Sequence, residues 1–300
     1  MSILRTPDDR FENLPDFPYA PNYLEINDDS FGTLRVHYLD EGPRDGRIIL
    51  CLHGEPTWCY LYRKMIPEFV SAGFRVIAPD LIGFGRSDKL SDRTNYTYAR
   101  HVDWMNQFID GLQLSGMTLL GQDWGGLIGL RLLAENPDRF AAFSLSNTAL
   151  PTGDQAMPEA FSQWRQFSQE DPEFDIGFIV NLFGHGDLAE AEIEAYRAPF
   201  PSDEYKAGAR QFPLLVPARP DDPASDANRK AWMKLTEWTK PVLLCYSDGD
   251  PIMAGADQPF HKLVPGTKGQ PHITLHGRHF IQEEDGPRWA KAVVSWLKVV

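Results

Sequence analysis

The chain has 300 residues, of which 42% are hydrophobic and 24% are charged, and its formal net charge is −13 at pH 7. That much apolar material can form a sizeable core, while the acidic balance argues against nucleic acid or an anionic membrane as a partner. The N-terminus has no apolar stretch of signal-peptide length, and no later run is long and apolar enough to span a bilayer. We therefore expect a cytoplasmic location by default.

Short β-rich runs alternate with helical patterns from about residue 34 onward. Apolar spacing predicts helices over residues 59–71, 98–112, 124–135 and 287–297. Strands are predicted over residues 35–39, 47–53, 74–80, 117–120, 142–146, 241–246 and 272–276. This alternation is typical of an α/β fold, with a mostly parallel, doubly wound sheet covered by helices on both faces.

The alternation breaks between about residues 151 and 226. This segment is rich in Pro, Phe, Asp and Glu, carries helical patterns over 159–169 and 187–196, and has no clear strand signal. We predict that residues 151–226 form a helical cap inserted in an α/β core made of 1–150 and 227–300. Cys51, Cys59 and Cys245 lie mostly in apolar runs without metal-ligand spacing, which predicts buried thiols rather than disulfides.

The segment 121–126 (GQDWGG) follows an apolar strand and opens a helix. That context is typical of the nucleophile elbow of an α/β-hydrolase, with Asp123 where such enzymes commonly place serine. A carboxylate is already anionic and can displace a leaving group from saturated carbon, leaving an ester. The motif therefore predicts alkyl transfer followed by hydrolysis; the alternative is that Asp123 only caps the helix.

The loops that follow the predicted strands supply a base and an acid, since ligands bind beyond the carboxyl ends of strands in open α/β sheets. His279 lies in the loop after the last predicted strand, whereas His272 and His276 flank that strand and are interpreted as structural or surface residues. Asp248 and Asp250 compete for the role of acid, and either can belong to a turn. The chain order nucleophile, acid, histidine is that of α/β-hydrolases.

A family resemblance is carried by motifs spread over nearly the whole chain. These are residues 53–58 (HGEPTW), 80–88 (DLIGFGRSD), 121–126 (GQDWGG), 161–164 (FSQW), 211–213 (QFP), Asp250 and 279–283 (HFIQE). They resemble the haloalkane dehalogenases, and more narrowly the subfamily whose second halide-binding tryptophan lies in the cap. The first two motifs are shared with epoxide hydrolases, and the pair Trp124 and Trp164 is the specific part.

The resemblance implies an α/β-hydrolase fold and a role for each site residue. Asp123 would be the nucleophile, His279 the base and Asp250 the acid, with the halide bound by the indole N–H groups of Trp124 and Trp164. The substrate would be a small halogenated alkane, and no organic cofactor or metal is required. The backbone N–H groups of Glu55 and Trp124 would form the oxyanion hole, and the predicted pocket walls are Phe161, Phe212, Pro213 and Ile252.

Several alternatives stay open at this point. Trp164 can serve cap packing alone, and the Glu55 side chain can hold a water, position the nucleophile or be merely solvated. An epoxide hydrolase would use acids of the cap, for which Tyr196 and Tyr205 are candidates. A fluoroacetate dehalogenase would carry arginine after the nucleophile, unlike Trp124. A non-catalytic binding module would keep the pocket without ester formation. The sequence leaves the oligomeric state open and is compatible with a monomer.

Overall fold

The central sheet is described by a computed structural model that covers residues 2–300. The strands are β1 Ile3–Leu4, β2 Asn22–Asp28, β3 Gly32–Glu41, β4 Ile48–Leu52, β5 Arg75–Pro79, β6 Lys89–Leu90, β7 Met117–Gln122, β8 Phe140–Ser146 and β9 Val242–Leu244. Seven of them form one sheet in the order β2-β3-β5-β4-β7-β8-β9, in which the β2–β3 and β3–β5 pairs are antiparallel and all others are parallel. The two short strands β1 and β6 pair separately.

Helices pack against this sheet and against one another. The helices are α1 Ile66–Ser71, α2 Tyr98–Gly111, α3 Trp124–Glu135, α4 Glu159–Glu170, α5 Ile176–Phe183, α6 Glu190–Arg197, α7 Ala207–Leu215, α8 Ser225–Leu235, α9 Gln258–Leu263, α10 Ile281–Glu284 and α11 Gly286–Leu297. Helix α1 contacts α11, while α2 and α8 contact α3, which begins where β7 ends.

Most of the predicted elements are present, and two of them differ markedly. The predicted helix over 59–71 is a 3-10 turn, Cys59–Tyr62, followed by the shorter α1, which begins immediately before Pro67. Strands β1, β2 and β6 were not predicted. The predicted strand over 272–276 is reduced to a bridge between Leu275 and Ser247. Here the N–H of Leu244 donates to the ring Nδ1 of His272 instead of to a backbone carbonyl, so a regular ladder does not form.

The segment between β8 and β9 is helical, as the sequence predicts. Helices α4, α5, α6 and α7 lie in it, and within residues 2–300 no strand interrupts it. Helix α8 follows and packs against α3 of the core. The boundaries of the cap at 151 and 226 stay a prediction.

Two further sequence predictions concern cysteines and membrane spans. Cys51, Cys59 and Cys245 are buried free thiols, as predicted. None of the helices described over residues 2–300 combines the length and apolar character needed to cross a membrane.

A buried ion cluster joins the cap to the core. Arg63, which follows the 3-10 turn after β4, is fully buried and donates to both carboxylate oxygens of Glu283 in α10, with the Nη2 to Oε2 distance at 2.9 Å. The same guanidinium contacts Glu192 of the cap helix α6, and the Tyr196 hydroxyl of that helix donates to Glu283. One buried cation therefore connects the helix after the His279 loop to the cap.

Replacing Arg63 with Met should destabilise the protein by about 3 kcal/mol, because the buried Glu283 would lose both guanidinium hydrogen bonds and keep only Lys64 Nζ, 2.9 Å from its Oε2, as a cation. The measurement is the free energy of unfolding in urea. Lys234→Met is the matched control, since Lys234 and its partner Glu237 are 63% and 73% exposed and such pairs contribute about 0–1 kcal/mol. Equal losses in the two variants would contradict this role of Arg63.

Candidate active site

Asp123 occupies the turn between β7 and α3 in a strained backbone conformation. Its φ is 51° and its ψ is −128°, a region that non-glycine residues seldom adopt. Two glycines that pack around this turn leave no room for a side chain. A Cβ on Gly125 would lie 1.8 Å from the carbonyl oxygen of Leu52, and a Cβ on Gly54 would lie 2.2 Å from Oδ1 of Asp123. This close packing holds the Asp123 carboxylate at the carboxyl end of the sheet.

The structure brings together Asp123, His279 and Asp250. His279 Nε2 lies 3.6 Å from Asp123 Oδ2, and His279 Nδ1 lies 2.7 Å from Asp250 Oδ2. The other oxygen of Asp250 accepts the backbone N–H groups of Ile252 at 2.9 Å and Met253 at 3.2 Å. The three side chains come from the elbow, from the loop after β9 and from the loop before α10. Their arrangement suits a nucleophile, a base and an orienting acid.

The competing acid, Asp248, has a different partner. Its carboxylate lies 2.7 Å from Nδ1 of His276, and these two side chains are 49% and 75% exposed. His272 is also used structurally, because its Nε2 lies 2.8 Å from the carbonyl oxygen of Thr267. The structure thus places Asp250, not Asp248, beside His279.

Two opposing effects act on the pKa of His279. Burial lowers this pKa, but the charge of Asp250, the nearby Asp123 carboxylate and the hydrogen bond to Asp250 outweigh burial and raise it to about 10. The pKa of Asp250 is lowered despite burial, because His279 and the two backbone N–H groups favour its ionised form. The two carboxylates therefore favour an imidazolium at His279 in the resting site.

Glu55 contacts Asp123 through its backbone and lines the cavity with its side chain. Its N–H donates to Asp123 Oδ1 at 2.7 Å, where one of the two predicted oxyanion donors is expected. The other predicted donor, the Trp124 N–H, belongs to the first turn of α3, where amides have no partner within the helix. The Glu55 side chain is buried, so it is not the solvated group considered above. Burial and then the Asp123 charge raise the pKa of the Glu55 carboxyl well above its ordinary value, and both effects favour its protonated form.

A cavity of about 510 Å³ lies beside Asp123, and two tryptophans line it with free indole N–H groups. Five of the eight tryptophans donate their indole N–H to a protein acceptor: Trp58, Trp104, Trp232, Trp289 and Trp296. Within residues 2–300 neither Trp124 nor Trp164 has such an acceptor. Trp164 also packs against three cap phenylalanines, so cap packing and an open N–H coexist. An indole N–H donates and does not accept, so the pair suits an anion.

Three of the four predicted pocket walls, Phe161, Pro213 and Ile252, line this cavity. Phe212 lies behind it instead, because its ring packs against the indole of Trp124 with centroids 4.4 Å apart. Several apolar residues that line the cavity were not predicted from the sequence. Leu127 could have been, because it lies three positions after Trp124 on α3 and therefore on the same face of the helix. The others include Leu150, Ile179, Phe183, Trp232 and Phe280.

One buried cluster has the composition of a metal site, with His37, Cys59 and Asp80 close together. The Asp80 oxygens already accept the N–H groups of Cys59 and Arg86, both at 2.8 Å, and contact His37 Nδ1 at 2.7 Å. Burial, assisted by Asp80, raises the pKa of the Cys59 thiol well above its ordinary value, so a thiolate ligand is disfavoured. This cluster is a hydrogen-bond network that supports the loop after β5.

Comparison with known proteins places these features in one family. The family model for the α/β hydrolase fold matches residues 47–286. The chain is 58% identical to a haloalkane dehalogenase of Psychrobacter cryohalolentis over 99% of this chain and 98% of that protein, and 51% identical to one of Mycolicibacterium paratuberculosis over both full lengths. The crystal structure of the haloalkane dehalogenase DpaA of Paraglaciecola agarilytica, described as tetrameric, superposes with a TM-score of 0.90 at 37% identity, covering 97% of each chain. This chain belongs to the haloalkane dehalogenases.

The structure of the cap argues against the rival interpretations of this haloalkane dehalogenase. Neither Tyr196 nor Tyr205 lines the cavity, so neither lies where an epoxide hydrolase needs its cap acid. The Tyr196 hydroxyl is buried and donates to Glu283. The residue after Asp123 is tryptophan, not the arginine expected of a fluoroacetate dehalogenase.

Asp123→Asn should lower the pKa of His279, because it removes a negative charge that now favours the imidazolium. Titration of the His279 ring by NMR measures this change. Since the folded pKa is raised, the imidazolium stabilises the fold fully below about pH 6.5, and this contribution is lost as the pH rises through about 10. The difference in unfolding free energy between the parent and Asp123→Asn should shrink over that range; an unchanged pKa would contradict the assignment.

Proposed function

We propose that this haloalkane dehalogenase hydrolyses the carbon–halogen bond of small haloalkanes, giving an alcohol, a halide ion and a proton. The observation that supports this most strongly is the pair of unpartnered indole N–H groups, on Trp124 and Trp164, in the apolar cavity beside Asp123. A departing halide needs hydrogen-bond donors in a dry site. Indole donors supply these without a full positive charge that would pair with the nucleophile.

The alkylation step follows from the two oxygens of Asp123. Oδ1 is held by the Glu55 N–H at 2.7 Å, which leaves Oδ2 free to attack the halogen-bearing carbon in line with the leaving group. A carbon–oxygen bond forms as the carbon–halogen bond breaks, and the electron pair leaves with the halide between Trp124 and Trp164. Burial and the Asp123 charge favour the protonated form of Glu55, which adds no second negative charge beside the departing anion.

The hydrolysis step uses His279 as base. Esterification removes the charge of Asp123, so one of the groups that raise the pKa of His279 is lost and the ring can become neutral. His279 then takes a proton from water, whose oxygen attacks Cγ of the ester, and Asp250 stabilises the new imidazolium. Oδ1 becomes the oxyanion, already within reach of the Glu55 N–H, with the Trp124 N–H as the second donor.

The cavity favours alkyl chains of several carbons. Its volume of about 510 Å³ lies within the common range for ligand pockets, and Phe161, Pro213 and Ile252 offer apolar walls. We therefore propose bromoalkanes such as 1-bromobutane, beside the two-carbon 1,2-dibromoethane, as test substrates.

A cytoplasmic location stays a prediction from the sequence. The sequence leaves the oligomeric state open and is compatible with a monomer; because DpaA is described as tetrameric, self-association is the alternative.

Asp123→Ala should abolish halide release, because no other group can form the ester. His279→Ala should release at most one equivalent of halide and accumulate an alkyl adduct on Asp123, since the base for hydrolysis is missing. The measurements are halide release from the two bromides, with an aliphatic epoxide in parallel, and mass spectrometry of the intact protein and its peptides. Equal loss in both variants without an adduct would contradict the two-step scheme. Diol from the epoxide without halide release would favour the epoxide hydrolase instead, and binding without either product would favour a binding module.

Trp164→Phe and Trp124→Phe should each weaken bromide binding and lower kcat by about 10²–10³, because one donor to the developing charge is removed. Trp232→Phe is a matched control. That indole also lines the cavity, but its N–H already donates to Leu150 at 2.7 Å. Calorimetry measures bromide binding in the three variants. A similar loss in all three would mean that cavity shape, and not the open donors, binds the ion.

A further inference from the structure

Gln122, the last residue of β7, is fully buried against His279, and no step above uses it. Its side-chain nitrogen lies 3.2 Å from His279 Nε2 and 3.1 Å from the carbonyl oxygen of the same residue. The same amide nitrogen therefore contacts both the ring and the backbone carbonyl of the proposed base. Nε2 is the atom that must accept the proton of the hydrolytic water.

The orientation of the Gln122 amide is set by its neighbours. The His279 carbonyl oxygen can only accept, and it also accepts the Asn147 side-chain amide at 3.0 Å, so the NH₂ end of Gln122 points towards it. On the opposite side, the side-chain nitrogen of Gln282 lies 3.3 Å from Gln122 Oε1 and donates to it. The contact with the carbonyl excludes the flipped Gln122 amide, which would set two acceptors against each other at His279.

We propose that Gln122 is a positioning residue that fixes the His279 ring and favours a proton-free Nε2 once Asp123 has been esterified. The inference rests on the proposed function, since it assigns Gln122 to the hydrolysis step. The Gln122 amide nitrogen lies 3.2 Å from Nε2, so the positive end of its N–H dipole opposes a proton on that ring nitrogen. Gln122 itself exchanges no proton: an O–H bond of water breaks, an N–H bond forms at Nε2, and the water oxygen bonds to the ester carbon.

Gln122 acts against carboxyl groups that face His279 from three elements. Asp123 from the elbow and Asp250 from the loop after β9 favour the imidazolium, and Glu55 from the loop after β4 is a buried acid near the same ring. After alkylation the Asp123 charge is gone, while Asp250 still contacts Nδ1. An uncharged donor at Nε2 then favours the neutral ring, whereas a cation there would pair with Asp123 in the resting enzyme.

The first test measures the His279 pKa by NMR in the Asp123→Asn background, which mimics the uncharged ester. Adding Gln122→Met should raise this pKa by about one unit, because the opposing donor is removed. Adding Gln122→Glu should raise it further, since a carboxylate at this place favours the imidazolium. Gln282→Met removes only the contact at Oε1 and should give a smaller rise.

The second test follows the alkyl-enzyme of the Gln122 single variants through one turnover, by rapid quench and mass spectrometry. The rate of adduct formation should match the parent, while adduct decay should be about tenfold slower at pH values below its midpoint, with that midpoint displaced to higher pH. A merely structural role would slow both steps or leave the pH midpoint in place. Thermal unfolding checks that each variant folds. If Gln122→Met does not fold, the same measurements are made on Gln282→Met.

The outcomes separate the two proposals. No halide release and no adduct from the parent protein would overturn the proposed function, while the NMR titrations would still decide the effect of Gln122 on His279. Adduct formation by the parent, with the pKa and the pH midpoint unmoved in the Gln122 variants, would overturn the role of Gln122 alone.

Discussion

The arrangement on which the rest of the site depends is one histidine ring between two unequal carboxylates. Asp250 is buried and accepts two backbone N–H groups, and these contacts together with His279 favour its ionised form. In the proposed mechanism Asp123, which faces the cavity, loses its charge when it becomes an ester. Both carboxylates favour the imidazolium of His279 in the resting protein, whereas only Asp250 does so in the ester. This difference in environment suits His279 to act as a base in the second of the two proposed steps.

Uncharged donors surround the place where the proposed reaction releases a halide. Trp124 and Trp164 offer hydrogen-bond donors without a formal charge, and burial and Asp123 favour the protonated form of Glu55. In the proposed alkylation step, the negative charge moves from the carboxylate to a halide that these uncharged donors bind. Another neutral donor, the Gln122 amide, lies 3.2 Å from His279 Nε2, the ring nitrogen that also faces Asp123.

The cap is part of the site because it contacts both of its ends. The His279 N–H donates to the carbonyl oxygen of Phe183 at 3.2 Å, and the Phe183 ring packs edge-on against Trp164 with centroids 5.2 Å apart. The buried Arg63 cluster holds the neighbouring helix α6 against Glu283, four residues after the histidine. The proposed base and the proposed second halide donor therefore contact the same segment of the cap.

The sequence by itself determined the fold class, the elbow at Asp123 and the order of the three catalytic candidates, because these follow from local patterns of apolar spacing and turn residues. It left Asp248 and Asp250 as rivals, since both lie in one loop and only tertiary packing sets which carboxylate meets His279. It could not tell that Phe212 lies behind Trp124, or that Gln122 contacts the base, because both depend on residues distant in the chain. Local periodicity sets elements, whereas contacts between elements decide which side chains share a site.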